Sequence, residues 1–495
     1  MIRAVLSDAS FSYDVHSLIQ AFYPGTAVKV YSPEELSAEH EGSAEYCVVI
    51  DSTEAAITGP HGASARTPVP EGTPRTEVKN ILKRTLYAVL SEENGRTLPW
   101  GGLTGIRPVK IPMKILKEGG TRADAMRCMT QQYLTDERSA SLAVSIAERE
   151  LRILRGQERM ASGKTLPGSV QEIYEGYSLY VSIPFCPSIC AYCSFPSGTI
   201  GRYEKILPDY LAALETELAW TAQAMHGKRL CSVYIGGGTP TALPEELFGQ
   251  LLESVKRYFP LEEAAELTVE AGRPETILEP YLQMMKEYGV SRISVNPQTM
   301  QDATLRRVGR AHTAENIRAA FARTRQAGFT DINTDLIVGL PGETAEDVKD
   351  TVRQVLALDP EAITVHSLAK KRASRMAEED AGVSAMPTEG LMDELIFRLG
   401  EAGYTPYYLY RQKNIAGNLE NIGFAKEGFA GLYNILMMEE IHTVMACGAG
   451  AVTKVVSRGG ERTERAANVS DITNYLTRTG EMLARKGRIL SWEND

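Results

Sequence analysis

Apolar positions recur along this chain in two rhythms. Near the start, IRAVLSD, AVKVYS and YCVVIDS are short β-like runs, and the stretch TEVKNILKRTLYAVLSEE repeats apolar residues at helical spacing. Together they predict a small α/β domain. LPWGGLTGIRPVKIPMKIL then combines turn-forming glycines and a proline with another helical pattern, and Arg107 and Lys110 put a local cationic spot on what reads as a structural loop. The helical stretch TDERSASLAVSIAERELRILRG runs into the polar, aperiodic RGQERMASGKTLPGSVQ, which reads as a linker. The first domain with its helical linker is therefore set at residues 1–170.

Beyond it, six β-like runs alternate with amphipathic helical patterns: SLYVSIPF, SVYIGGGTP, ELTVEAGRP, RISVNPQT, DINTDLIVGLP and EAITVHSLA. Six βα units imply a parallel sheet with covering helices and right-handed crossovers. The pattern predicts an open, partial (β/α)6 barrel over 171–370, with chemistry at the C-terminal ends of its strands. From about Lys371 the alternation breaks into helices such as TEGLMDELIFRLGEAG and then polar, aromatic and glycine-rich stretches. Residues 371–495 read as a mainly helical module closing the substrate pocket.

Composition narrows the function classes. The chain has 495 residues, 43% of them hydrophobic, enough for two or three domains. Its formal charge of −10 supplies no basic field for phosphate backbones, which argues against nucleic acid as a partner. MIRAVLSDASFSYDVHS lacks the pattern of a secretory leader and no stretch has the apolar length of a membrane span, so the expectation is a cytoplasmic protein without a membrane span.

Seven cysteines are too few and too unevenly placed for a disulfide framework, but three crowd into Ile183-Pro-Phe-Cys186-Pro-Ser-Ile-Cys190-Ala-Tyr-Cys193. Cys47, Cys128, Cys231 and Cys447 read instead as small buried hydrophobes. A C-x3-C-x2-C loop directly after an apolar strand can converge three thiolates on one cluster. A cubane has four irons, so three protein ligands leave one iron open, whereas a structural zinc wants four closed ligands and no fourth cysteine or histidine lies nearby. One βα unit later, Gly236-Gly237-Gly238-Thr239-Pro240-Thr241 ends a strand with bare backbone that a ligand could approach closely.

The cysteine spacing, with an aromatic before the last thiol, resembles the radical S-adenosylmethionine (SAM) superfamily. The resemblance implies a [4Fe–4S] cluster on Cys186, Cys190 and Cys193 whose open iron binds the methionine part of SAM, and a 5′-deoxyadenosyl radical that takes hydrogen from substrate. It also implies that Gly236, Gly237, Gly238 and Thr239 meet the amino group of SAM, and that Tyr192 presents its backbone near the adenine.

Across residues 177–455 the chain further resembles the oxygen-independent coproporphyrinogen III oxidase (coproporphyrinogen dehydrogenase) family. Glu270 in TVEAGRP, Gln298 in SVNPQTM, Arg310 in VGRAH and Asp335 in NTDLIVGLPGE fall where that family contacts SAM. Those residue types suit it: carboxylates accept from ribose hydroxyls or an ammonium, and arginine clamps a carboxylate. Read singly, Glu270 or Asp335 could cap a helix and Arg310 could form a surface ion pair. The N-terminal extension, GLTGIRPVK, HSLAKKRAS and YRQKNIAGNLENIGF resemble the longer HemZ branch of the family.

The resemblance implies oxidative decarboxylation of two propionates of coproporphyrinogen III to give protoporphyrinogen IX in haem biosynthesis. One molecule of SAM or two would take part, with flavodoxin or ferredoxin as a reducing partner. No catalytic side chain is assigned. Where the family's studied branch has a histidine before Ile-Pro-Phe-Cys and a fourth cysteine after the triplet, this chain has Ser182 and Ser194-Phe195. Lys370, Lys371, Arg372, Arg375, Arg411 and Lys413 are candidates to pair with propionates, or a solvated basic face. His366 and His442 read as structural. Two alternatives stand beside the decarboxylase: radical SAM modification or degradation of haem or another tetrapyrrole, and a haem-binding chaperone. The chaperone branch's His-Asn-x-x-Tyr-Trp pattern is missing from Gly417-Asn418-Leu419-Glu420-Asn421-Ile422-Gly423-Phe424.

Overall fold

Five short strands form the first sheet: β1 (Ile2–Leu6), β2 (Val28–Tyr31), β3 (Tyr46–Ile50), β4 (Glu54–Thr58) and β5 (Ser64–Pro68), ordered β2-β1-β3-β4-β5. In the computed structural model, which describes residues 1–35, 44–105, 107–158, 160, 163, 170–368, 390–411, 420–457 and 462–491, this sheet belongs to one of two compact units. That unit comprises Met1–Glu148 and Arg411–Asn414; the other comprises Arg149–Tyr410 and Ile415–Asp495.

The helices Ser12–Phe22 and Arg75–Asn94 bury Val15, Leu18, Ile19, Leu82, Leu86 and Leu90 in the core of the first unit. The second helix stops at Gly95, whose φ of +59° is the left-handed turn that glycine permits. In β3, Tyr46, Val48 and Ile50 point into this core while Cys47 and Val49 point out. Cys47 is therefore exposed, not the buried thiol expected from its apolar neighbours, because a sheet covered on one face obeys strand parity. Cys128 is only half-buried and lies beside Gln132. The β4–β5 hairpin has no apolar run to announce it.

All six anticipated barrel strands form. They are β6 (Tyr177–Ile183) and, after the two-residue pair β7 (Phe185–Cys186) and β8 (Gly198–Thr199), β9 (Leu230–Gly237), β10 (Glu266–Glu270), β11 (Arg292–Ser294), β12 (Ile332–Val338) and β13 (Ala362–Ser367). Neighbours pair in parallel in the order β13-β12-β11-β10-β9-β6. Helices follow each of them, including Leu207–Ala224, Glu245–Tyr258, Glu279–Glu287, Ala314–Gln326, Ala345–Leu356 and Leu391–Glu401. Parallel strands covered by helices on one side and facing a filled interior on the other read as near-continuous apolar runs, which is why this region was plain in the sequence. Thr313 and Thr344 close capping boxes that start two of the covering helices, Ala314–Gln326 and Ala345–Leu356.

Among the described residues of the tail, four helices alternate with five strands, and the strands extend the sheet at both edges. β14 (Thr405–Tyr410) and β15 (Asn421–Ala425) continue it beyond β13 in antiparallel sense. At the opposite side β16 (Thr443–Cys447) lies parallel to β6, followed by antiparallel β17 (Val452–Val456) and β18 (Thr463–Ala467). The final helix, Thr479–Ser491, sends Lys486 inward to Glu217; both side chains are fully buried, 2.5 Å apart. Glu217 also accepts from Tyr475, Asn468 and the Gly448 amide, so this buried carboxylate is saturated with donors.

Candidate functional site

The cysteine loop leaves the C-terminal end of β6 and is held by its neighbours' backbone. Gly238 N–H donates to Ile183 O at 2.9 Å and Thr239 N–H to Phe185 O at 2.7 Å, so the glycine turn after β9 is stapled to the residues that lead into Cys186. A Cβ on Gly238 would sit 2.5 Å from Phe185 O and 2.7 Å from Ile183 O, which makes glycine obligatory there. Gly237, at φ +100°, donates to Glu270 Oε2, and a Cβ on Gly236 would meet the same oxygen at 2.6 Å. The Thr239 hydroxyl lies 3.6 Å from Cys186 Sγ.

Cys190 is buried, whereas Cys186 and Cys193 are partly accessible. Burial pushes the Cys186 thiol up, opposed by Thr239 and by the charge of Arg273. Among the described residues no three cysteine, histidine or acidic side chains converge as a single metal ion would require. A cubane takes each thiolate on a different iron, so its ligands stand farther apart than those of a single ion, and a three-thiol donor set fits it.

Two buried arginines anchor the loop. Arg310 donates to the Tyr192 hydroxyl at 3.0 Å, to Gly272 O at 2.9 Å and to Asn296 O at 2.6 Å, and its Nε to His312 Nε2 at 3.3 Å. Those bonds use four of its five N–H groups, and it is no surface ion pair. With Nε2 accepting, His312 carries its proton on Nδ1 and donates it to Glu275 at 2.9 Å. Burial alone would raise Glu275; the His312 bond overrides it and holds the carboxyl down at about 2. Arg273, 3.6 Å from Glu275, completes the circuit by donating to Ser188 O at 2.7 Å and to Cys190 Sγ at 3.2 Å.

The strand ends bring the remaining polar residues together. Glu270 accepts from the Tyr234 hydroxyl and from Gly237; burial pushes its carboxyl up to about 7, aided by Asp335 and opposed by those hydrogen bonds. Asp335 accepts from Asn333 at 2.9 Å and lies 3.9 Å from His366; burial works to raise it, but His366 and the hydroxyl and amide donors prevail and hold it down. Neither acid caps a helix. Gln298 has φ +68°, a left-handed conformation rare for a side-chain-bearing residue, fixed by bonds from its N–H to Asp335 O and from Ile337 N–H to its carbonyl. Its buried Oε1 has no hydrogen-bond partner among the described residues. An unspent acceptor, a backbone cradle and two acids suit a ligand rich in N–H and O–H donors.

Residues 180–355 match the model of the radical SAM superfamily. The chain is 36% identical over 411 residues to the oxygen-independent coproporphyrinogen-III oxidase-like protein HemZ of Bacillus subtilis, an alignment covering 81% of this chain and 79% of that protein. It belongs to the HemZ-type, coproporphyrinogen oxidase-like family of radical SAM proteins. The heme chaperone HemW of the same organism is 31% identical over 315 residues, 63% of this chain and 76% of the chaperone. The crystal structure of the Escherichia coli coproporphyrinogen III oxidase HemN superposes with a TM-score of 0.51 at 24% identity over 62% of this chain and 70% of that one, a shared fold. Radical SAM proteins use a [4Fe–4S] cluster and SAM.

Within this HemZ-type chain several residues escaped sequence reasoning. Arg273 and Asn296 reach the site only through tertiary convergence. Tyr180, Tyr234 and Tyr433 form a stack, with Tyr234 and Tyr433 centroids 4.6 Å apart. Strand parity could have found Tyr234, two residues before Gly236 on one face of β9. His366, read as structural, stands beside Asp335 and 3.1 Å from the Tyr410 hydroxyl. His442 fits that reading: buried neutral, it bridges Ser178 and Ile173 O, and its pKa falls to about 4. Cys231 and Cys447 are buried as expected, and the glycine after Cys447 is approached by Ser182 O. The Ser182 hydroxyl donates to Ala449 O. Arg411 groups with the first unit, donating to Leu103 O at 2.6 Å. Lys370, Lys371, Arg372, Arg375, Lys413 and 417–419 lie outside the described residues.

Proposed function

We propose that the protein is a cytosolic radical SAM enzyme that oxidatively decarboxylates two propionates of coproporphyrinogen III to give protoporphyrinogen IX in haem biosynthesis. The observation that carries the reading is the convergence, at the ends of β6, β9, β10 and β11 and within β12, of the three-thiol loop, the glycine cradle, two acids and an unspent glutamine acceptor.

Cys186, Cys190 and Cys193 would hold the cluster. Gly236, Gly237, Gly238, Thr239, Tyr192, Glu270, Gln298, Arg310 and Asp335 would hold SAM, with room for a second molecule left to experiment. Bound together, cluster and SAM supply a one-electron cleavage that generates a hydrogen-abstracting radical. The chain's own contribution is placement. The glycine backbone and Gln298 orient the methionine and nucleoside parts, Glu270 and Asp335 accept from ammonium or hydroxyl groups, and the buried Arg310–Tyr192 bond holds the cysteine loop against them. The stacked Tyr180, Tyr234 and Tyr433 buttress Glu270, which accepts from the Tyr234 hydroxyl. The reducing partner would be a flavodoxin or ferredoxin.

The test is anaerobic turnover of the cluster-loaded protein with SAM, a strong reductant and coproporphyrinogen III, following 5′-deoxyadenosine and porphyrinogen masses together. Loss of two carboxyl groups matched to 5′-deoxyadenosine is expected. SAM cleavage with unchanged substrate would redirect the assignment to another tetrapyrrole modification or degradation. The similarity to HemW supports a second reading as a haem-binding chaperone; stoichiometric haem binding without turnover would establish that instead.

A further inference from the structure

We propose that Arg273 sets the reduction potential of the iron–sulfur cluster through its hydrogen bond to Cys190, acting as a positioning and tuning residue. This rests on the reading that Cys186, Cys190 and Cys193 hold the cluster. Nη2 of Arg273 lies 3.2 Å from Cys190 Sγ, and the same nitrogen donates to Ser188 O at 2.7 Å and to Ser188 Oγ at 3.2 Å. The guanidinium is thus fastened to the loop that carries the thiol.

Its side chain is 4% exposed, and an arginine keeps its charge under all ordinary conditions. A buried cation needs compensation. Glu275 offers only part of it, at 3.6 Å from Nη1 and one-third exposed, and is itself oriented by His312. The cysteine loop would supply the rest once its thiols bind iron as thiolates.

When the cluster takes one electron from its reductant, the cluster and its thiolates gain one negative charge, while Arg273 gains and loses nothing. A fixed positive charge and an N–H···S bond stabilise the reduced form more than the oxidised form, which raises the potential. β10 and the turn that follows it therefore serve two functions from one short segment: Glu270 faces the glycine cradle, and Arg273, three residues later, faces the sulfur. Glu275, adjoining the arginine, opposes it in sign.

The experiment is an EPR-monitored redox titration of the full-length, cluster-loaded protein without SAM, comparing wild type with R273Q, R273K and E275Q. At the ambient potential where the wild-type cluster is half reduced, R273Q is expected to lower the reduced-to-oxidised ratio about tenfold, equivalent to about 59 mV for a one-electron couple. R273K should recover part of the shift, and E275Q should move the midpoint the opposite way. Fully loaded R273Q with an unchanged midpoint would overturn the proposal, as would R273Q and E275Q shifting in the same direction. If R273Q fails to load, R273K and E275Q decide: opposite displacements from wild type sustain the tuning role and coincident midpoints refute it. A wild-type protein that takes up no cluster refutes the underlying functional reading instead.

Discussion

Gly236 and Glu270 touch across β9 and β10: a Cβ built on the glycine would stand 2.6 Å from Oε2 of the glutamate. That oxygen also receives the Gly237 amide, so it cannot retreat without breaking the cradle. G236A should therefore weaken SAM binding at least tenfold, about 1.4 kcal/mol, while iron content stays at the wild-type level. Equilibrium dialysis with SAM beside an iron assay checks both parts; unchanged affinity would remove the cradle from the SAM site.

Glu270 also predicts a pH dependence. Its folded-state pKa is raised to about 7, above the ordinary glutamate value of about 4.3, so the folded protein retains a proton that the unfolded chain releases. The contribution to stability is present below about pH 4.3 and is lost as pH rises through about 7. Urea midpoints of the ligand-free protein should fall between pH 5 and pH 8, and E270Q should flatten that decline. A slope identical in E270Q would assign the loss to other groups.

Gln298 pairs strain with an unused acceptor. Glycine at this position removes the cost of a left-handed φ, so Q298G is expected to be as stable as wild type or more stable by about 1 kcal/mol, yet to bind SAM several-fold more weakly. Thermal unfolding and SAM titration together test this exchange of stability for binding. A variant both destabilised and undiminished in affinity would contradict it.

The Lys486–Glu217 pair closes the tail. K486M strands a fully buried carboxylate and should cost about 3–5 kcal/mol in urea unfolding. The double variant K486M/E217Q should recover part of the loss, because the neutral amide still accepts from Tyr475 and Gly448. No recovery would mean that the lysine acts through packing and not through charge.

The chain disclosed its barrel and its thiols readily, for physical reasons that do not extend to the rest. Strands such as Tyr177–Ile183 are buried almost throughout, so they stand out as continuous apolar runs; the three cysteines crowd into one loop, and the three glycines are consecutive. The role of Arg273 depends on a sulfur eighty-three residues away, and that of His366 on Asp335 in the adjoining strand. No local pattern encodes such distances. Cys47 misled for a related reason: composition surrounded it with apolar residues, but the alternation of β3 turned it outward. The hairpin of EAAIT and SARTP offered small and polar residues where a strand signal needs bulk.

β16 comes from residues 443–447 and pairs in parallel with β6, the strand that introduces the cysteine loop. Until residues 443–447 have been synthesised, β6 must wait with one hydrogen-bonding flank bare, although β9 is already available on the other. The nascent chain thus displays its three thiols before their supporting strand is sheltered. A chain truncated before residue 443 is therefore expected to leave β6 unpaired along one edge and the cysteine loop without that support.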